Sequence, residues 1–184
     1  MRTDLLFTSV CLAFLLASTA AGQASSTRFQ LPDSVYGFSL ADSAVLPGTQ
    51  GTAYRYENRA GVRADVFVYA VPVERLSASD SMQMASEAET FVAGLAYGIE
   101  RGHYDAYNVP VSKASSVETE KGTSVPVRVV VMVFRRGGDS FVSFMHLLLK
   151  DRLYVKVRLT LPASEWQTSM APNFALELAK RLFD

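Results

Sequence analysis

Cysteine is nearly absent from this chain: Cys11 is the single thiol in 184 residues, and it lies in an N-terminal stretch that reads as an export signal. Once that stretch is removed, disulfides, thiolate metal sites and a cysteine nucleophile are all excluded. Stability must then come from packing alone. An excess of one charge is also missing, since 18 Lys and Arg balance 18 Asp and Glu. That balance argues against nucleic acid as the main partner, which would call for a strongly basic face. Histidine occurs only at His103 and His146. There is no phosphate loop, dinucleotide fingerprint, G-x-S-x-G elbow or carboxylate pair spaced for glycosidase chemistry. Nor is there an internal repeat, a low-complexity segment or a second-domain boundary.

What is present begins with Arg2 and the run "LLFTSVCLAFLLASTAA" from Leu5 to Ala21, followed by small residues suited to a signal peptidase. Plausible cuts follow Gly22 or Ala24, so residues 1–24 are assigned as signal peptide and 25–184 as one globular domain. The run is borderline for a membrane span, which needs about 20 apolar residues, so an uncleaved anchor is the alternative. No later segment approaches that length. The expected product is a periplasmic or secreted protein with no stable membrane insertion after cleavage.

Beyond the signal, "VYGFSL" (Val35–Leu40) reads as a short strand and "ADSAVLPGTQG" as a turn-rich loop. "GTAYRYEN" and "RADVFVYAVPV" form a hairpin around Arg59–Val62, with Val66 and Val68 on one face and Phe67 and Tyr69 on the other. The period then changes. Met84, Ala88, Phe91, Val92, Leu95 and Ile99 recur at spacings of three and four, capped by Ser79–Ser81 and stopped by Gly102, which predicts a helix over about 80–101. Gly94, Gly98 and Gly102 lie beside the stripe and suggest close approach of the helix to a sheet. "GHYDAYNVP" reads as a loop and "VSKASSVETEK" as a strand or strand pair of polar character. "VPVRVVVMVF" (Val125–Phe134) is the strongest strand, apolar at nearly every position and mostly β-branched. After the turn Arg135–Asp139 come Phe141–Leu149 and Leu153–Leu161, then a final helix, "APNFALELAKRLF", with Pro172 in its first turn. The expected fold class is α+β: an antiparallel sheet of six or seven strands packed by a long central helix and a C-terminal helix.

His146 lies inside an apolar run. Leu153, Val155, Val157, Leu159 and Leu161 share one face of their strand, and Tyr154, Lys156, Arg158 and Thr160 share the other. A two- or four-residue loop at Lys150–Asp151 places His146 on the core face beside Val155; a three-residue loop places it with Lys156 and Arg158. The core face is the expectation. Neither placement supplies a nucleophile or an orienting acid, so no catalytic residue is assigned. His103 and Asp105 offer two metal ligands where a site needs about three or four, so no metal or cofactor is assigned. Arg128, Arg135, Arg136, Lys156 and Arg158 form a possible basic patch across neighbouring strands. Tyr97, Tyr104, Tyr107 and Trp166 are aromatics near element ends. From these, Tyr104, Tyr107, Arg128, Lys156 and Arg158 are the candidate binding residues.

"YGFSL" and "DRLYVKVRLTLPASEW", the latter running into a helix that ends "AKRLFD", resemble the opening strand and the last strand, Pro-containing loop and closing helix of the PsbP-like fold. That fold occurs in extrinsic photosystem II subunits and in exported bacterial proteins of the DcrB and LpqN type. The resemblance covers nearly the whole mature chain in outline. It implies a binding or assembly module and transfers no functional residue. The sequence thus points to an exported non-catalytic module with a protein or small-molecule ligand. The alternative is a small hydrolase whose site forms only in the fold, around His103 or His146.

Overall fold

The structure, a computed structural model, describes residues 30–46, 51–166 and 169–183. The expected signal peptide, its cleavage site and Cys11 lie outside these residues. Four strands, β1 (Ser34–Val35), β2 (Phe38–Leu46), β3 (Gly51–Asn58) and β4 (Arg63–Ala70), precede a long helix, α1 (Asp80–Glu100). Four more, β5 (Ala106–Glu118), β6 (Ser124–Arg136), β7 (Asp139–Lys150) and β8 (Leu153–Pro162), lead to the closing helix α2 (Met170–Phe183). All eight join one antiparallel sheet in the order β1-β2-β3-β4-β8-β7-β6-β5. Among the described residues, no helix is long and apolar enough to cross a membrane.

The α+β class and the antiparallel sheet are as expected, but the six- or seven-stranded sheet packed by a long central helix is corrected. The sheet has eight strands and dominates the chain, and α1 packs mainly on β5, β6 and β7, reaching β4 and β8 through side chains such as Tyr69, Tyr154 and Lys156. Three local features account for the difference. "VYGFSL" is broken by a two-residue turn in which Tyr36 (φ 46°) and Gly37 (φ 76°) are both left-handed, so it yields β1 and the start of β2. The polar segment "ADSAVL" continues β2 past a bulge between Leu40 and Asp42, because an exposed edge strand needs no apolar alternation. Ala106–Pro110, read as loop, is the start of the 13-residue edge strand β5.

Each helix covers one face. α2 sets Phe174, Leu178 and Leu182 against Tyr54, Tyr56, Val66, Val155, Val157 and Leu159. Phe174 takes both Phe38 and Tyr56 edge-on, with ring centroids 5.0 and 5.5 Å away. α1 sets Met84, Ala88, Phe91 and Leu95 against Val130, Met132, Met145 and Leu147 on the other face. Ser79 caps α1 by accepting from the Met82 N–H, and Gly102 (φ 71°) ends it by donating to the Ile99 carbonyl at 2.8 Å. The close approach at Gly98 is to the Tyr104 ring rather than to the sheet, since a Cβ there would lie 2.7 Å from two ring carbons.

Strand parity fixes the faces. Asp151 (φ 50°) and Arg152 (φ 62°) form a two-residue turn that pairs Lys150 with Leu153 and His146 with Val157. His146 is therefore on the core face under α2, one pair further along than beside Val155. Tyr154, Lys156, Arg158 and Thr160 face α1.

Candidate functional site

On the α1 face, one end of the β4-β8 pair lines an open groove, and the strand residues there are polar: Asp65, Arg158 and Thr160. Asp65 of β4 is paired with Arg158 of β8, and Thr160 follows two positions on. They floor a groove of about 440 Å³, bounded by the β3-β4 turn Ala60–Val62, by Tyr104 after α1, and by Phe141 and Arg136. Phe134 and Phe141 stack at 5.4 Å with 19° between their planes, and Tyr104 meets Phe134 edge-on at 4.9 Å. The Arg136 guanidinium lies 5.5 Å from the Phe141 ring centroid.

Arg158 is held from behind. Its Nε donates to Ser143 Oγ at 3.2 Å, and Ser143 Oγ and Thr160 Oγ1 share a hydrogen bond of 2.9 Å. Among the described residues, its terminal nitrogens have no hydrogen bond and no ion pair within 4.0 Å. Asp65 Oδ1 lies 3.8 Å from Arg55 Nε. Burial raises the Asp65 carboxyl above its ordinary pKa, against the opposing pull of Arg158, Arg55 and Arg63. The floor thus presents a planar cation oriented through its Nε, beside a partly desolvated carboxyl and an aromatic shelf.

Further under α1, the charges are already spent on one another. Glu87 Oε1 accepts from the Tyr69 hydroxyl at 2.5 Å and from Lys156 Nζ at 3.1 Å. Glu87 Oε2 accepts from Arg75 Nη1 at 3.0 Å, and Arg75 Nη2 reaches Thr90. The Tyr154 hydroxyl donates to the Gln83 carbonyl at 3.0 Å. Lys156 sits 5.0 Å from the Tyr69 ring centroid and 5.5 Å from that of Phe91. Burial pushes the Lys156 pKa down while Glu87 holds it up, and burial and Glu87 together push Tyr69 well up.

Of the sequence candidates, Tyr104 and Arg158 both line the groove. Lys156 is its neighbour on β8 but is enclosed by Glu87 and the aromatics. Tyr107 pairs with Phe134 and packs, half-buried, into the cluster under α1. Arg128 lies at the other end of the sheet, bonded to Ser112 at 3.3 Å, with its Nε enclosed and unpartnered. The basic patch converges only in part: Arg136 and Arg158 both line the groove, whereas Arg135 pairs with Ser140 and Ala106 on the opposite face. His103 is half-buried after α1, its backbone N–H bonded to the Gly98 carbonyl at 2.8 Å. His146 lies across the sheet. Asp65, Thr160 and Phe141 were missed as site residues, although their parity with Arg158 and Phe134 was readable. Glu87 was missed because a helix carboxylate suggests solvent, yet it follows Met84 by three and precedes Phe91 by four, on the apolar stripe itself. Among the described residues, no cluster of three His, Cys, Asp or Glu side chains could hold a metal ion.

No family model matches the chain, and no curated protein does. Among solved structures, the chain is similar to the crystal structure of a protein of unknown function, PA94, from Pseudomonas aeruginosa. The two share 9% identity, with 70% of this chain and 85% of that chain covered, at a TM-score of 0.36. A likeness this remote carries no functional argument.

Proposed function

We propose that this domain is an exported, non-catalytic binding module whose ligand docks in the groove over Asp65, Arg158 and Thr160. The observation that carries this reading is Arg158: its Nε is tied to Ser143 and its guanidinium lies 5.9 Å from the Phe91 ring centroid. The terminal nitrogens of its fork have no hydrogen-bond partner among the described residues, and the side chain lines an open groove. Such a fork matches a carboxylate or phosphate oxygen pair, and its partial burial strengthens the contact relative to a surface cation. The Phe134–Phe141 stack beside it offers an apolar platform, so the ligand class is an anion with an aromatic or apolar body.

Three further points support the reading. The Leu5–Ala21 run is suited to export, and the resemblance to the PsbP-like fold implies a binding or assembly role. A hydrolase at His103 or His146 would need a ring nitrogen in contact with a nucleophile or acid. Among the described residues, neither ring makes such a hydrogen bond.

Titration of the purified protein with 3-phenylpropionate, followed by amide and aromatic NMR shifts, tests the proposal. Saturable shifts at Phe141 and Thr160, with at least tenfold weaker binding in Arg158→Ala, are expected. Arg158→Lys should not restore binding, because an ammonium lacks the planar fork. Equal affinity in the parent and in Arg158→Ala would remove the groove as the site.

A further inference from the structure

On the opposite face of the sheet, α2 lies over β7 and β8 but leaves part of β6 uncovered toward the edge strand β5. A cavity of about 610 Å³ opens there, within the usual range for small-molecule sites of about 300–1,000 Å³. Its apolar walls include Val127, Val129, Leu148, Ala175 and Leu176, and His146 forms part of its floor. His146 is only 7% exposed, and its Nδ1 is fully enclosed with no hydrogen-bond partner. The cross-strand neighbours of His146 are Val129 and Val157, Ala175 of α2 lines the same cavity, and burial alone perturbs the imidazole, with no charged neighbour acting on it. Lys113 and Glu118 line the cavity from the exposed edge strand, and Lys180 is drawn toward Glu120 at 3.9 Å.

The chemistry of the floor follows from these neighbours. Burial pushes the His146 pKa down to about 4, so the ring is neutral at neutral pH and carries a single N–H. An enclosed N–H without an acceptor is the costlier way to leave Nδ1 unpaired, which places the proton on Nε2. The ring can then offer the cavity one uncharged donor. A charged headgroup bonded to the imidazole would find no counter-charge beside it, since no charged group acts on the ring.

We propose that this cavity is a second binding site, independent of the groove, for a small neutral molecule. Such a ligand has an apolar body and one oxygen acceptor, a ketone, an alcohol or a phenol, that receives the His146 Nε2–H. The apolar body lies against Val127, Val129 and Leu176, and specificity comes from the single hydrogen bond.

Titration of the full-length protein, with imidazoles labelled by ¹⁵N, against acetophenone and against ethylbenzene tests this. The two probes match in shape but differ in the acceptor. The free protein should show His146 as the Nε2–H tautomer. Acetophenone should shift its ring nitrogens saturably while leaving His103 unmoved, and should bind about tenfold more tightly than ethylbenzene. His146→Phe should equalise the two probes. Val129→Phe, which fills the cavity beside the imidazole while keeping the histidine itself, should abolish both, and it serves where His146→Phe fails to fold. Equal affinity for the two probes in the parent, no saturable shift at His146, or a proton on Nδ1 would overturn the proposal. Occupancy of the cavity by water alone would appear as the second of these.

Discussion

Glu87 on α1 and Lys156 on β8 meet across the helix-sheet interface, with 3.1 Å between Oε1 and Nζ and side-chain exposures of 9% and 16%. Both were taken from water on folding, so each is needed to offset the desolvation of the other. Glu87→Ala leaves Lys156 and Arg75 facing a carboxylate that is gone, and Tyr69 loses its acceptor. The expected cost is about 3–5 kcal/mol in urea unfolding. Glu87→Leu combined with Lys156→Met should recover most of that loss, because the surrounding Phe91, Phe67 and Tyr69 rings suit an apolar pair. A double mutant as unstable as Glu87→Ala would show that the charges carry more than their own pairing.

The second expectation concerns pH. Burial lowers the His146 pKa from 6.5 to about 4. Above 6.5 the ring is neutral in both folded and unfolded chains and contributes nothing to the slope. As the pH falls below 6.5 the unfolded chain takes up a proton that the folded one refuses, so stability is lost down to about pH 4. The full loss is about 3 kcal/mol at 1.36 kcal/mol per pKa unit. Asp65, whose folded carboxyl is raised, works in the opposite sense. Comparing the parent with His146→Leu isolates the histidine, and the variant's stability should fall less steeply between pH 6.5 and 4. Parallel curves would show that the ring is hydrated.

How far the sequence could be read follows from which forces act locally. The helix expected at about 80–101 occurs at Asp80–Glu100, because its stripe, cap and terminal glycine all act within a few residues. β6 and β8 are where their β-branched runs predict. The extra strand was hidden because Tyr36, a residue that rarely adopts a positive φ, occupies a hairpin turn. β5 was hidden because an edge strand of exposed Ser and Lys has no alternation to read. The core face of β8 is as expected, with Val155, Val157 and Leu159 buried, and Phe144 of β7 packs half-buried at the margin of that core. The groove was half legible. Tyr104 and Arg158 stood out by type, but what joins them is a groove left at one end of the α1 face, and that is a tertiary outcome.

The β7-β8 turn offers a third test. Asp151 and Arg152 both hold φ in the left-handed region, at 50° and 62°, and the turn is a two-residue one. That conformation favours Asn followed by Gly, and a residue with a Cβ pays roughly 1–2 kcal/mol to adopt it. Asp151→Asn with Arg152→Gly should therefore stabilise the domain by about 1 kcal/mol, since glycine also loses more freedom on folding. The melting temperature should rise by roughly 2–4 °C for a domain of this size. The Arg152 carbonyl, which accepts from the Val71 N–H at 2.9 Å, is backbone and is retained. A fall in melting temperature would mean that the two side chains contribute contacts outweighing the strain they impose.

The last expectation couples α1 to the groove. Gly98 is buried on the helix, and a Cβ there would lie 2.7 Å from Cδ2 and Cε2 of the Tyr104 ring. Tyr104 is 5% exposed and packed edge-on against Phe134, so the ring cannot retreat without opening the groove wall. In a free helix, Gly→Ala gains about 1 kcal/mol of propensity. Here Gly98→Ala should instead destabilise, because overpacking of this kind costs about 1–3 kcal/mol. Tyr104 and Phe134 shifts should move with it, and any ligand bound beside Arg158 should bind more weakly. In a Tyr104→Ala background the clash is absent, so the same Gly98→Ala change should become stabilising by up to about 1 kcal/mol. If Gly98→Ala destabilised both backgrounds equally, the glycine would answer to the sheet rather than to Tyr104, and the helix would not set the groove wall.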